Sequence, residues 1–154
     1  SAYQSTHSRM IEKAQKPLYI VWQDKFLQHE SIIDEQHRGA VAIINSLHYF
    51  IQQGFTLQQL KPTVHILKNY LNFHFMTEQG ILEALECPLM KQYKAEAEKT
   101  LRDFDACYLQ GISEADPTVL LICLRNWWQQ HLELHEKITP FLHEWKGDYC
   151  RVTT

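Results

Sequence analysis

The sequence predicts an all-α, up-down-up-down four-helix bundle preceded by an extended N-terminal arm. Four long stretches carry apolar residues at the i, i+3/i+4 spacing of helices buried on one face. Short breaks separate them at Gly54, at Cys87-Pro88 and at Gly111-Ile112-Ser113. No alternating strand pattern, internal repeat or low-complexity stretch competes with this reading.

Residues 1–29 read as the arm, with Pro17, Tyr19, Ile20, Val21 and Trp22 available to pack across a bundle. The bundle itself spans 30–147. In its first helix, roughly Ser31 to Gln53, the stripe is Ile33, His37, Ala40, Val41, Ile44, His48 and Ile51, and Gly54 ends it. Thr56 is placed to cap the second helix, which runs to about Glu86, with Pro62 kinking it or delaying its regular part. Its stripe is Leu67, Leu71, His74, Glu78, Ile81 and Leu85. A third helix covers roughly Leu89 to Gln110. Asp116-Pro117 is a start signal for the fourth, a capping carboxylate followed by proline at the first helical position. That helix carries Leu120, Leu124, Trp127, His131, Ile138 and Phe141 or Leu142, and Gly147 closes it. Residues 148–154 form a tail suited to link an output domain.

The 154 residues suffice for one domain with a substantial core. A net charge of −3 argues against nucleic acid or an anionic membrane as the main partner, since both call for a basic surface. Cys87, Cys107, Cys123 and Cys150 show no CxxC pairing, which reads as reduced thiols in a cytoplasmic protein. No signal peptide and no membrane-length apolar run is visible. Nine histidines are the one compositional anomaly.

Several of those histidines, with carboxylates, fall on the apolar stripes of three different helices: His37, the pair His74 and Glu78, and His131 with Glu136. Each alone has an ordinary explanation, such as an interface histidine bonded to a carbonyl, an i, i+4 pair, or a core histidine beside Trp127. Together they do not, because unpaired polar groups are costly inside a core unless something binds them. Imidazole and carboxylate are usual ligands of non-haem iron, and facing bundle helices are a recognised frame for di-iron sites. The pattern points to a metal pair.

Three motifs carry a family resemblance. Trp22 followed by IDEQH-R at 33–38, HF-xx-E at 74–78, and Trp127-Trp128-Gln-Gln-His131 with an acid five residues on resemble the hemerythrin family, and most closely its bacterial domains. The similarity covers roughly residues 20–145. It implies two non-haem iron ions with an oxo, hydroxo or water bridge, and a small diatomic ligand such as dioxygen. On the same basis His37 and His74 look like terminal ligands of one iron, Glu78 like a bridging carboxylate and His131 like a ligand of the second iron. Glu136 stands where the family has a bridging aspartate.

The chain also departs from that pattern. The histidine pair that the family carries on its third helix is replaced here by Tyr93 and Ala97. Tyr93 is expected to line the site, and Ala97 to leave room for solvent or a small ligand. Trp128 is expected beside the ligand pocket, restricting access or filling vacated space. Five residues along a regular helix rotate by about 140° and four by about 40°. Plain geometry therefore favours His135 over Glu136, unless a π-bulge widens the helix. The resemblance favours Glu136, which is the expected ligand.

An iron left with open positions suits a sensor of dioxygen, redox state or nitric oxide better than a simple carrier. The bacterial domains of this kind resemble sensors fused to diguanylate cyclases, hence to cyclic di-GMP signalling. The chain itself contains no cyclase sequence and is expected to bind rather than catalyse. The alternatives are a freestanding oxygen carrier or store, a di-iron peroxidase or oxidase, and a structural bundle without metal.

Overall fold

A computed structural model describes residues 18–143. Its four helices are α1 (Ser31–Gln52), α2 (Lys61–Ala84), α3 (Met90–Ser113) and α4 (Thr118–Leu142), with a short 3-10 turn at Asp24–Phe26 before them. Helices of this length run about 33–38 Å, and the connections between them are too short to cross the molecule. Successive helices are therefore antiparallel. α1 packs on α2 and α4, and α3 packs on the same two, which closes the bundle. No strand occurs among the described residues. None of the helices is long and apolar enough to cross a membrane.

The helix ends show where local chemistry overrode the expected boundaries. Thr56 does not start α2. It accepts from the Gln59 N–H at 3.2 Å while Gln59 Oε1 accepts from the Thr56 N–H at 2.9 Å, a reciprocal cap on an isolated turn. The regular helix begins at Lys61, with Pro62 in the first turn where its missing N–H costs nothing. α3 runs on through Gly111 to Ser113. Gly111 belongs there for packing, since an added Cβ would strike the Leu57 side chain. Asp116 caps α4 as expected, its Oδ1 accepting from the Thr118 N–H at 3.0 Å. The expected stop at Gly147, Cys150 and the 148–154 tail lie outside the described residues. Cys87, Cys107 and Cys123 form no disulfide among the described residues.

The arm is described from residue 18 onward and is fastened to α1. Asn45 Oδ1 accepts from the backbone N–H groups of Tyr19 and Ile20, each at 2.8 Å, and Asn45 Nδ2 donates to the Ile20 carbonyl at 2.8 Å. Trp22 lies under the Arg38 guanidinium at 4.4 Å, a cation–π contact. Phe26 is buried, edge-on between Trp22 and Trp128.

The core divides along the bundle axis. Where α1 and α3 end and α2 and α4 begin, it is aliphatic and aromatic, built from Ile44, Leu47, Leu67, Phe104, Leu120 and Leu124. Towards the other end the buried positions turn polar: His37, His74, Glu78, His131 and His135. One turn further along the same helices Ile33, Leu82 and Ile138 are again fully buried, so the polar layer is enclosed from both directions.

Candidate metal centre

Four histidines and one glutamate meet in that layer. His37 comes from α1, His74 and Glu78 from successive turns of α2, and His131 and His135 from successive turns of α4. The i, i+4 spacing within α2 and within α4 aims both members of each pair the same way. One donor atom from each of the five residues can be chosen so that all lie within 4.8 Å of one another.

The imidazoles form a tight figure. His37, His74 and His131 present their Nε2 atoms to one another, every pair 3.1 Å apart. Glu78 Oε1 lies 3.1 Å from His131 Nε2, 3.5 Å from His37 Nε2 and in contact with His74 Nε2. His135 Nε2 faces both carboxylate oxygens, 3.0 Å from Oε1 and 2.8 Å from Oε2.

Two hydrogen-bond chains fix which nitrogens face inward. His74 Nδ1 lies 2.8 Å from Gln36 Oε1. The Gln36 amide is oriented in turn, its Nε2 donating at 3.1 Å to Thr77 Oγ1, whose own proton goes to the Phe73 carbonyl at 3.1 Å. An amide oxygen can only accept, so His74 Nδ1 carries the proton. On α4, His135 Nδ1 lies 3.3 Å from Thr139 Oγ1, and that hydroxyl donates to Gln28 Oε1 at 2.7 Å. Gln28 Nε2 donates to the Phe26 carbonyl at 2.9 Å, which turns its Oε1 towards Thr139. Thr139 therefore accepts from His135 Nδ1. Both rings, when neutral, present Nε2 lone pairs to the cluster. Such outer partners set the tautomer and aim of metal-binding histidines.

Protonation alone leaves this arrangement unsatisfied. Burial lowers the pKa of His37 well below the usual histidine value, and that of His131 to about 4, so both are neutral at neutral pH. Burial alone would raise the Glu78 carboxyl, but His74, His135 and His131 around it hold it well below the usual range, so it is ionised. His74 and His135 face the cluster as acceptors, and neutral His37 and His131 bring at most one Nε2 proton each, so protons satisfy some of these contacts and leave others lone pair to lone pair. A cation satisfies them together. The donor set thus fits a metal ion, and imidazole with carboxylate suits iron among the divalent metals.

The remaining site residues fall in different places. Glu136 is on the exposed face of α4, and His135 takes the place expected for it. α4 stays a regular α-helix through 131–136, so the four-residue step wins over the five-residue one. Tyr93 and Ala97 are buried on α3 and help line a cavity of ≈ 330 Å³ that also touches Phe75, Trp127 and His131. The Tyr93 hydroxyl has no hydrogen-bond partner. Burial, reinforced by the Glu78 carboxylate, pushes its pKa well above the usual phenol value, so it is a neutral phenol. Trp128 packs edge-on against the His37 ring with centroids 5.3 Å apart, whereas Trp127, stacked on His131 at 5.1 Å, lines the cavity. Gln36, Thr139 and Gln28 had not been singled out from the sequence. Thr139 alone had a local signal, standing four residues beyond a histidine.

No curated protein matches the chain. A family model described as the hemerythrin HHE cation binding domain matches residues 29–142, a stretch containing all four helices and all five converging side chains. With most of its length matched, the chain belongs to the hemerythrin HHE cation-binding domain family.

Proposed function

We propose that the chain is a non-haem iron domain that reports dioxygen, nitric oxide or redox state to an output domain, rather than one that carries oxygen. The observation that carries this reading is the triangle of His37, His74 and His131 Nε2 atoms closed by Glu78 and His135. When bound there, iron supplies a one-electron redox couple and an acceptor for a small diatomic ligand.

The protein's own groups do the rest. Gln36 and Thr139 hold the Nδ1 protons of His74 and His135, leaving Nε2 free to bind. Burial keeps His37 and His131 neutral, so their lone pairs are available at neutral pH. Phe75 and Trp127 wall the centre with apolar surface, while the cavity beside Tyr93 and Ala97 gives a small ligand a way in. Apart from the five converging side chains, Tyr93 is the buried titratable group at this layer among the described residues.

A switch requires that the ligand or the oxidation state favour one bundle arrangement differentially. α4 is the element suited to relay it, because it holds two of the four histidines. The test is to load the protein with Fe(II) without oxygen, then add dioxygen or nitric oxide. Absorption spectra and amide exchange along α4 are followed together. A spectral change accompanied by altered exchange in α4 is the expected result. Reversible oxygenation over many cycles with unchanged exchange would indicate a carrier, and failure to bind iron would remove both readings.

A further inference from the structure

We infer that this domain holds one metal ion, with His37, His74, His131, His135 and Glu78 all bound to it and one coordination position left for an external ligand on the Tyr93 side. The inference rests on the reading that the site binds iron. It departs from the two-iron centre expected from the sequence.

Size is the first argument. For bonds of about 2.1 Å, ligands at right angles stand about 3.0 Å apart and opposite ligands about 4.2 Å. The three Nε2–Nε2 separations are 3.1 Å, and all five donors lie within 4.8 Å. Paired metals lie about 3.5–4 Å apart, which spreads the outermost donors of such a centre to roughly 7 Å. The 4.8 Å span is somewhat wider than the ~4.2 Å of one ideal sphere and far short of a paired centre, so a small inward shift of the donors closes it on one ion.

The supply of donors is the second. A second ion would lie towards α3, where Ala97 offers only a methyl group and Tyr93 a single hydroxyl in place of two imidazoles. Glu136, expected as a bridge, is exposed. His135 faces both oxygens of Glu78, so the carboxylate that was expected to bridge is engaged within the group. Among the described residues these five form the one group of three or more histidine, cysteine or carboxylate side chains close enough to share an ion.

Five donors on a six-coordinate ion leave one position. The cavity reaches the centre beside Tyr93, Ala97 and His131, and the buried Tyr93 hydroxyl is a donor with no partner of its own. A small anion or diatomic ligand entering there would accept that hydrogen bond.

An anaerobic Fe(II) titration of the unmutated protein, followed by metal analysis and by electron paramagnetic resonance after oxidation, tests this. The expected result is a break at one equivalent and the signal of an isolated high-spin ferric ion. Azide should perturb that signal, with its affinity reduced several-fold in Tyr93→Phe. His135→Ala should weaken iron binding at least tenfold, whereas Glu136→Ala should not. A break at two equivalents with a coupled, resonance-silent ferric pair would overturn the single-ion inference while leaving the iron-domain reading intact. No break at all would overturn that reading as well. The double change Tyr93→His, Ala97→His, which adds donors on α3, should move the break towards two equivalents; a break at two before that change contradicts the inference.

Discussion

The two ends of this bundle are built from the same helices by different physics. At one end Ile44, Leu47, Leu67, Phe104, Leu120 and Leu124 are satisfied simply by leaving water. At the other, His37, His74, Glu78, His131 and His135 are equally buried but turn lone pairs and a negative charge towards one another. The first end stabilises the fold unconditionally. The second, on the reading proposed above, needs a cation to offset the cost of burying its polar groups. The lesson is a division of labour, with the apolar end free to hold the helices in register while the polar end stays responsive to what it binds.

The comparison breaks most visibly under truncation at the apolar end. Leu124→Ala should cost about 2–5 kcal/mol through lost burial and the cavity left behind. Urea unfolding should give the same loss with and without iron, because Leu124 lies away from the donors.

Acidification should act only on the polar end. A histidine whose folded pKa is depressed leaves the unfolded state binding more protons, so stability falls as pH falls. The window runs from the unfolded value near 6.5 down to about 4 for His131. On the order of 3 kcal/mol should be lost from the metal-free protein across it on account of His131 alone. Urea midpoints measured at several pH values, repeated with His131→Leu, should show a shallower decline in the variant.

The outer hydrogen bonds should matter less. Thr139→Val removes the acceptor of the His135 Nδ1 proton and should weaken metal binding about tenfold, with a change in metal-free stability of about 1 kcal/mol. Competition with a chelator measures the first and urea unfolding the second.

The smallest effect concerns the contact that brings α1 and α2 together at the polar end. Gly39 lies beneath the Tyr70 hydroxyl, which donates to the Gln36 carbonyl at 2.8 Å, and an added Cβ would collide with that hydroxyl. Gly39→Ala ordinarily favours a helix by about 1 kcal/mol. Here the collision should reverse the sign, to a net loss of about 1 kcal/mol. Adding Tyr70→Phe, which removes the oxygen, should recover much of it.

Much of this was legible in the sequence, for a physical reason. Burial imposes the 3.6-residue period on all four helices, so the bundle and the aim of His37, His74, Glu78 and His131 follow from spacing alone. Glu136, favoured by the family register, faces away from the cluster because α4 keeps its regular pitch. Thr56 was read as a cap because a reciprocal Thr–Gln cap on a lone turn has the same local chemistry as one on a long helix. The Gln28–Thr139 bond joins residues 111 positions apart, and no local pattern announces such a pairing. The metal count inferred above rests on features hidden in a similar way. Ligand types are written in the sequence, whereas the distances between them are set by packing.

The most direct test of the central claim, that the polar end is completed by a cation, is thermal unfolding of metal-free protein with increasing anaerobic Fe(II). Binding to the folded state alone at a hundredfold excess over Kd stabilises by about 2.7 kcal/mol, which should raise Tm by about 5–10 °C in a domain of this size. Leu124→Ala should start from a lower Tm and rise by a similar amount. A Tm that does not respond to Fe(II) in the unmutated protein would contradict the account.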